Sequence, residues 1–475
     1  MIQFILNNQT VRTSLPPGNT VLDLVRYQKR LVGTKIGCRE GDCGACTILA
    51  GNIENEQLVY RSMTSCLMPL GNAAGKHIVT VEGISGIELS PVQQAMVDTN
   101  GTQCGFCTPG FIMSLTGFVL NENSNSYDEA IKSIDGNICR CTGYKSIERA
   151  AKILSERLNE IPQAKTNGHI TWLVENNLIP EYFTGMRQRL LQLTTTKEDH
   201  ILKTNSSIVI AGGTDLVVQK HAEVRKSATR HLFDDSNLKE IALENDKYTI
   251  GASVTVTGFA ESTAIQNAFP GLAKYIKLIS STPIRNMATM AGNIANASPI
   301  GDMTIFFLAL NARIVLSNGV SARTIFLKDF FKGYKQLEMA NDEVIEKIIF
   351  IKPPKDAVFN FEKVCKRTWL DIASVNSACL ITINKNGTID DLHLSAGGIA
   401  PFPKYLAGTI SYLKGKKIST DVLREAITVM NEEIAPISDA RGTKEYKRLL
   451  LRQLFLAHMI KATNSPEQLK PILAG

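Results

Sequence analysis

The sequence predicts a multidomain α+β protein, and three observations point there. At 475 residues the chain has room for three or four domains of about 150 residues, each large enough to bury a core. Eight of its ten cysteines, Cys38, Cys43, Cys46, Cys66, Cys104, Cys107, Cys139 and Cys141, lie in the first third, and only Cys365 and Cys379 follow. The apolar spacing also changes along the chain, from short alternating runs among glycines, to a helical period, to mixed α/β patterns.

Composition narrows the class. With 44% hydrophobic and 20% charged residues the chain is an ordinary globular one, neither disordered nor fibrous. The net charge of +7 arises from 52 Lys and Arg against 45 Asp and Glu, dispersed without a basic block or interleaved aromatics, so no nucleic-acid partner is expected. The opening MIQFILNNQTVRTSLPPGNT lacks a charged stretch followed by an apolar one, and no run of about 18 apolar residues occurs. No membrane association and a cytoplasmic location are therefore expected. In that reducing compartment ten cysteines point to metal ligation or redox chemistry rather than to a disulfide framework.

The elements follow in order. Ile2, Phe4, Leu6 and Val11 are spaced for one face of a hairpin turning at Asn7 and Asn8. TVLDLVRYQKRL predicts a helix with Thr20 as its N-cap. In IGCREGDCGACTILAG glycines replace any period, which predicts a loop wrapped around something. TILAG, LVYRSM and HIVTVEGI are predicted strands. From SPVQQAMVDTN to about Leu158 the spacing is helical, clearest in SLTGFVL, SYDEAIKSI and SIERAAKILSERL. NEIPQAKTNGHITW is polar and aperiodic, a linker. Beyond about Ile179 come SSIVIAGGTDLVVQK, KYTIGASVTVTGFAES, an apolar helix around Leu278-Ile279-Ser280 and the strand ARIVLSN. From about Asn360 two strands cross an Asn386-Gly387 turn, and the helices ISTDVLREAITVMNEE and KEYKRLLLRQLFLAHMIKA follow.

Cys38, Cys43 and Cys46 form C-x4-C-x2-C, and Cys66 comes after nineteen intervening residues, the spacing of a plant-type [2Fe-2S] site. Gly37, Gly41 and Gly44 suit a loop that aims thiolates inward and offers N–H groups to sulfur. Structural zinc favours paired short spacings a dozen or more residues apart and fits this loop poorly. Cys104 and Cys107 form C-x2-C, and Cys139 and Cys141 form C-x-C in GNICRCTGY. C-x2-C alone suits zinc or a redox pair. C-x-C closes no unstrained disulfide. Together the two supply four thiolates from two helix N-termini, whose free N–H groups and dipoles favour an anionic cluster.

IVIAGGTDL sets an apolar strand before glycines able to close on a phosphate, with Asp215 placed to cap the next helix; a plain tight turn explains the same residues. No G-x-G-x-x-G or P-loop pattern occurs. TPIRNMATMAGNIANASPIGDM strings Gly292, Asn293, Asn296 and Ser298 into a segment suited to lie flat against a ligand. Cys365 and Cys379 are expected to be small buried hydrophobes.

In this order the motifs resemble the iron–sulfur and flavin half of the molybdenum hydroxylases, the family of xanthine dehydrogenase, aldehyde oxidase and carbon monoxide dehydrogenase. All eight early cysteines match that family's cluster ligands. The resemblance implies a plant-ferredoxin-like β-grasp domain over 1–78 and a four-helix [2Fe-2S]-binding domain over 79–160. A linker over 161–178, a two-part α+β FAD-binding domain over 179–352 and a small α+β C-terminal flavoprotein domain over 353–475 complete the expected order. It further implies that Val209, Ile210, Ala211, Gly212, Gly213, Thr214, Asp215 and Leu216 bind FAD, the last six of them cradling its pyrophosphate. Thr289, Gly292, Asn293, Asn296, Ser298 and Asp302 would line the same cofactor.

By the same resemblance Gln103 approaches a molybdopterin held by a partner chain. FEKVCKRTWLDIASVNSA resembles the segment beside the flavin ring, making Lys363 and Arg367 candidate catalytic residues, Lys363 also a cofactor contact, and Asp371 the last acid of the pattern. Ala291 replaces a family glycine. Trp369 and Leu370 stand where acids are common, which alters the charge expected near the flavin and bears on the acceptor. Arg140 is expected to point outward. The implied cofactors are two [2Fe-2S] clusters and FAD, with NAD as acceptor.

The order on one polypeptide resembles the small subunit of the xanthine dehydrogenase branch, which passes electrons from molybdenum to NAD⁺ during purine hydroxylation. The molybdopterin would sit on a large partner subunit in a dimer of heterodimers, since its domain needs several hundred further residues. The same segments would serve a relative acting on another N-heterocycle or an aldehyde, or a stand-alone electron carrier.

Overall fold

A computed structural model describes residues 1–86, 88–121, 125–161, 168–193, 207–367 and 370–463. Trp369 and residues 162–167 of the expected linker lie outside these. The chain divides into two compact units, Met1–Phe233 with Ser281–Ala288, and Asp234–Ser280 with Thr289–Gly475.

The first unit opens with the hairpin of strands Ile2–Leu6 and Gln9–Thr13, turned at Asn7, whose φ of 52° is one that asparagine tolerates. It forms one edge of a five-stranded sheet in the order Gln9–Thr13, Ile2–Leu6, His77–Val79, Thr47–Glu54, Gln57–Thr64. Ile2–Leu6 and His77–Val79 run parallel, and the other neighbours antiparallel. Thr20 Oγ1 accepts the Asp23 N–H at 3.2 Å and starts the helix Val21–Asp23, which continues in π geometry over Leu24–Gln28. Phe4, Val21, Leu22, Ile48 and Ile78 bury their side chains together, with Cys46 and Cys66 in the same cluster.

Four helices follow, Pro91–Asp98, Thr108–Val119, Tyr127–Ser133 and Lys145–Glu160. Ser90 and Gln93 close a capping box on the first. The last buries Ile147, Ala150, Ala151, Leu154 and Leu158, a stripe at three- and four-residue steps. The stretch expected to be a linker is in part a helix, His169–Glu175, and Trp172, Leu173 and Leu178 join the helical core. At seven residues it is too short for a helical period to emerge, and packing supplies the stability that so short a helix lacks alone.

The second unit holds a five-stranded antiparallel sheet in the order Ala322–Phe326, Arg313–Ser317, Val344–Ile351, Lys247–Gly251, Ile241–Glu244. Phe269, Phe306 and Phe359 pack in an aromatic core, with ring centroids 4.5 Å apart for Phe306 and Phe359. The helix expected around Leu278 is instead Leu272–Lys277; it closes with the Leu278 N–H on the Tyr275 carbonyl, and Ser280 at φ 52° turns the chain away. A four-stranded sheet of Val358–Val364, Val375–Ile383, Ile389–Gly397 and Lys404–Tyr405 turns at Gly387, φ 82°. The helices Thr420–Glu432 and Lys444–Thr463 share its core through Leu423, Met430, Leu451 and Phe455.

His458 on that last helix is 1% exposed. The Asn360 amide donates to its Nδ1 at 2.9 Å, and its Nε2 donates at 3.0 Å to Ser377 Oγ, which passes its own hydrogen to the Ser395 carbonyl. The ring is thus held neutral, and burial lowers its pKa to about 3. An unfolded histidine takes a proton below about 6.5. This group's contribution is therefore complete above that pH and is lost as the pH falls from there toward 3. Lowering the pH from 7 to 5 is expected to remove about 2 kcal/mol of unfolding free energy through this residue. Denaturant unfolding of His458→Gln at both pH values checks it: the variant's pH slope should be shallower, and an equal slope would refute the neutral buried ring.

Candidate cofactor sites

Cys38, Cys43 and Cys46 occupy the loop ahead of strand Thr47–Glu54, and Cys66 sits just past strand Gln57–Thr64. The loop coils through positive φ at Arg39, Gly41 and Gly44, which turns its amides inward. The N–H groups of Glu40 and Asp42 each donate to Cys38 Sγ at 3.3 Å. The thiols come in pairs, Cys38 with Cys43 and Cys46 with Cys66. Its bond with Cys43, then those two N–H groups, draw the Cys38 thiol down to about 5, while the shared hydrogen bond pushes Cys43 up. Cys46 is lowered and Cys66 raised in the same way by each other. A Cβ at Gly37 would lie 2.6 Å from Cys43 Sγ, so only glycine leaves space for that sulfur.

Cys107 is the N-cap residue of Thr108–Val119, and Cys139 and Cys141 precede Lys145–Glu160 on a turn with Gly143 at φ 65° and Tyr144 at 69°. Cys104 and Cys141 have sulfurs 3.5 Å apart, and Cys107 pairs with Cys139. Burial, then Cys139, pushes Cys107 up to about 12. Against its burial, the Thr142 hydroxyl and N–H hold Cys139 down. Cys104 and Cys141 are exposed, as are Gln103 and Arg140.

Among the described residues no three His, Cys, Asp or Glu side chains surround a single ion position. Thiols arranged two by two, with N–H groups on the sulfurs, fit two-iron clusters, in which each iron takes two cysteine thiolates.

The two cysteine sets touch. Ile138 N–H donates to the Cys43 carbonyl at 3.1 Å, so one hydrogen bond links the residue before Cys139 to Cys43 itself. Asn137, 6% exposed, clamps this contact: its Nδ2 donates to the Gly44 carbonyl at 3.1 Å and its Oδ1 accepts from Ser114 Oγ at 2.7 Å. A Cβ at Gly110 would approach the Gly44 oxygen to 2.2 Å. Nearby, Asp135 accepts the Thr282 N–H at 2.7 Å and pairs with Arg285 at 2.6 Å. That pair ties the start of the TPIRN segment to the four-helix domain. Asn137, Ser114, Asp135 and Arg285 carry no sequence signal of this role.

Ala211–Leu216 leave the strand Ile208–Ile210, whose Val209 is 40% exposed and Ile210 buried. Gly213 adopts φ 83°, and a Cβ there would lie 3.0 Å from the Leu67 oxygen, one residue past Cys66. A Cβ at Gly212 would lie 1.9 Å from the Met287 oxygen. Gly213 thus lets this strand end press against the segment that follows Cys66, and Gly212 lets it press against Met287. Asp215 does not cap as expected: it precedes the single turn Leu216–Gln219, and its side chain makes no cap bond there, because its backbone is already helical rather than extended.

The remaining expected positions belong to the second unit. Thr289 caps Met290–Ala295 through the Gly292 N–H at 3.1 Å. Asn293 Oδ1 takes the Thr304 N–H and hydroxyl, each at 3.0 Å. Asn296 Oδ1 takes Lys335 Nζ at 2.9 Å, and Ser298 Oγ takes the Ile300 N–H at 3.5 Å. Asp302 receives Lys363 Nζ at 2.7 Å and Asn376 Nδ2 at 2.6 Å. The Lys363 side chain is 1% exposed and also donates to the Leu278 carbonyl, which makes it an anchor for Asp302. Arg367, its side chain half exposed, donates to the Leu370 carbonyl, and its N–H to Asp371. Leu370 turns inward at φ 50°. Cys379 is buried, and Cys365, half-buried, donates to the Arg367 carbonyl. No helix of the described residues is long and apolar enough to cross a membrane.

Four family models match the chain in succession: a 2Fe-2S iron-sulfur cluster binding domain over 4–70, a [2Fe-2S] binding domain over 80–152, the FAD binding domain in molybdopterin dehydrogenase over 187–352, and the CO dehydrogenase flavoprotein C-terminal domain over 361–462. The chain is 29% identical to a xanthine dehydrogenase of Emericella nidulans over 88% of its own length, and 27% identical to one of Oryza sativa subsp. japonica over 96%. It spans only 35% and 39% of those relatives. The CO dehydrogenase of Oligotropha carboxidovorans shares the fold at a TM-score of 0.51 and 24% identity, over 54% of this chain and 89% of that one. The chain thus carries two [2Fe-2S] domains and an FAD-binding domain in a multidomain α+β architecture.

Proposed function

We propose, from the premise that this chain belongs to the molybdenum hydroxylase family, that it is the electron-transfer subunit of a xanthine dehydrogenase, serving a molybdenum cofactor on a partner subunit and NAD⁺ as acceptor during purine hydroxylation. The observation that carries this reading is the unbroken contact within the first unit. The Ile138–Cys43 hydrogen bond joins the two cysteine sets, and Gly213 packs on Leu67 beside Cys66. The chain's own backbone therefore leads from the exposed Cys104 and Cys141 to the glycine loop. Clusters bound at these cysteines supply one-electron steps, and FAD supplies the exchange between single electrons and hydride.

Each residue has an assigned part. Cys104, Cys107, Cys139 and Cys141 hold the cluster nearer the partner, with Gln103 exposed beside them toward its molybdopterin; Cys38, Cys43, Cys46 and Cys66 hold the cluster nearer FAD. Ala211–Leu216 receive the FAD pyrophosphate. Thr289, Gly292, Asn293, Asn296, Ser298 and Asp302 shape the other FAD segment, and Lys363 fixes Asp302. Arg367 is the exposed cation of its loop, suited to an anionic dinucleotide. Ten free cysteines suit a reducing cytoplasm, and the assembly is a dimer of heterodimers.

The complex purified from its source is expected to contain molybdenum, iron and FAD and to reduce NAD⁺ when given xanthine or hypoxanthine. Turnover with another N-heterocycle or an aldehyde alone would overturn the purine assignment. A molybdenum-free monomer, inert toward all of these, would overturn the subunit assignment.

A further inference from the structure

We propose that Asn72 is a positioning residue for the flavin's phosphate loop, and that through it the cluster site of Cys38, Cys43, Cys46 and Cys66 and the affinity for FAD are linked. The inference rests on reading Ala211–Leu216 as that loop. Asn72 lies in the 3-10 turn Leu70–Ala73, six residues past Cys66, and is 2% exposed. Its Nδ2 donates to the Ala211 carbonyl at 2.8 Å, and its Oδ1 accepts from His231 Nδ1 at 2.8 Å. Ile208–Ile210 and Thr229–His231 are paired parallel strands with Ile210 opposite His231. One amide therefore clasps both strands at the end where the glycine loop begins.

The surroundings leave this clasp little freedom. A Cβ at Gly71 would stand 2.4 Å from the His231 ring, so the ring lies directly on that backbone. Gly213 meets the Leu67 oxygen and Pro69. The segment from Leu67 to Ala73, which hangs from Cys66, is thus the floor beneath the loop. A peptide is planar and trans, so its C=O and N–H point oppositely. Drawing the Ala211 carbonyl toward Asn72 turns the Gly212 N–H away from that floor, the orientation a phosphate-receiving loop requires. Thiolates anchored at Cys66 order the floor, the floor orders Asn72, and Asn72 orders the loop. Linkage requires the reverse as well, so bound FAD slows loss of iron from that site.

Flavin fluorescence titration of the full chain, with iron counted per chain, tests this. Asn72→Asp preserves the shape and the oxygen facing His231 but removes the donor to Ala211. It and Asn72→Ala are expected to raise the FAD dissociation constant about tenfold while iron and both cluster EPR signals stay at parental levels. In the parent, FAD should slow iron loss to a chelator several-fold, and Asn72→Asp should abolish that protection. Parental FAD affinity in Asn72→Asp, with Gly213→Val unable to retain FAD, would overturn the positioning role and leave the loop reading intact. FAD retained by Gly213→Val would overturn the loop reading itself. Iron loss indifferent to FAD in the parent would overturn the linkage.

Discussion

Gly44→Ala is expected to destabilise the first unit by at least about 3 kcal/mol and to deplete iron from both cysteine sets. Gly44 holds φ 67°, where a side chain costs about 1–2 kcal/mol. The larger cost is steric. A Cβ there would lie 2.3 Å from the Gly136 oxygen and 2.9 Å from Asn137 Cα, and backbone cannot swing aside as a side-chain tip can. Relief requires parting the two loops, which breaks the Asn137–Gly44 and Ile138–Cys43 bonds together. Gly143→Ala is the matched control, since Gly143 has φ 65° with nothing within 4 Å of the added carbon. It should lose only the backbone cost of about 1–2 kcal/mol and keep its iron. Urea unfolding and iron analysis of both variants decide the matter; parental stability in Gly44→Ala would mean that the loops are not locked.

The second large effect concerns Asp135. Its side chain is 1% exposed and that of Arg285 11%, so the pair is buried and its partners cannot turn to water. Asp135→Ala removes the carboxylate that neutralises the buried guanidinium, which keeps the Thr282 hydroxyl as an acceptor, and takes the acceptor from the Thr282 N–H; it is expected to cost about 3–5 kcal/mol. Asp135→Asn retains an acceptor for Thr282 but removes the negative charge, and should fall between the variant and the parent. Equal stability of all three chains in urea would show that the ion pair contributes nothing. The effect should be nearly independent of salt, because a pair this buried is poorly screened.

The contrast between these residues and the cysteines explains what was legible. Ligation imposes short spacings, so C-x4-C-x2-C, C-x2-C and C-x-C are visible in a bare string of residues. Hairpins are equally local, and Asn7 and Gly387 mark them by their own backbone freedom. The clamps are not local. Asn137 meets Gly44 across 93 positions, Asn72 meets Ala211 across 139, and Arg285 meets Asp135 across 150. Asparagine and aspartate at such sites look like ordinary turn or cap residues. The helix His169–Glu175 is hidden in a linker-like stretch for a related reason: its apolar residues matter only because a neighbouring core receives them.

Sequence by itself determined the two hairpins, the helices between Pro91 and Glu160, the two C-terminal helices and the grouping of the early cysteines, because strand and helix periods, turns and ligand spacings are short-range properties. Only the tertiary structure decided that Cys104 faces Cys141 and Cys107 faces Cys139, that Lys363 is spent on Asp302, and that the strand end before Gly212 rests on the segment after Cys66. Each of these depends on which distant groups packing brings within about 3 Å, where a buried polar atom must find its partner.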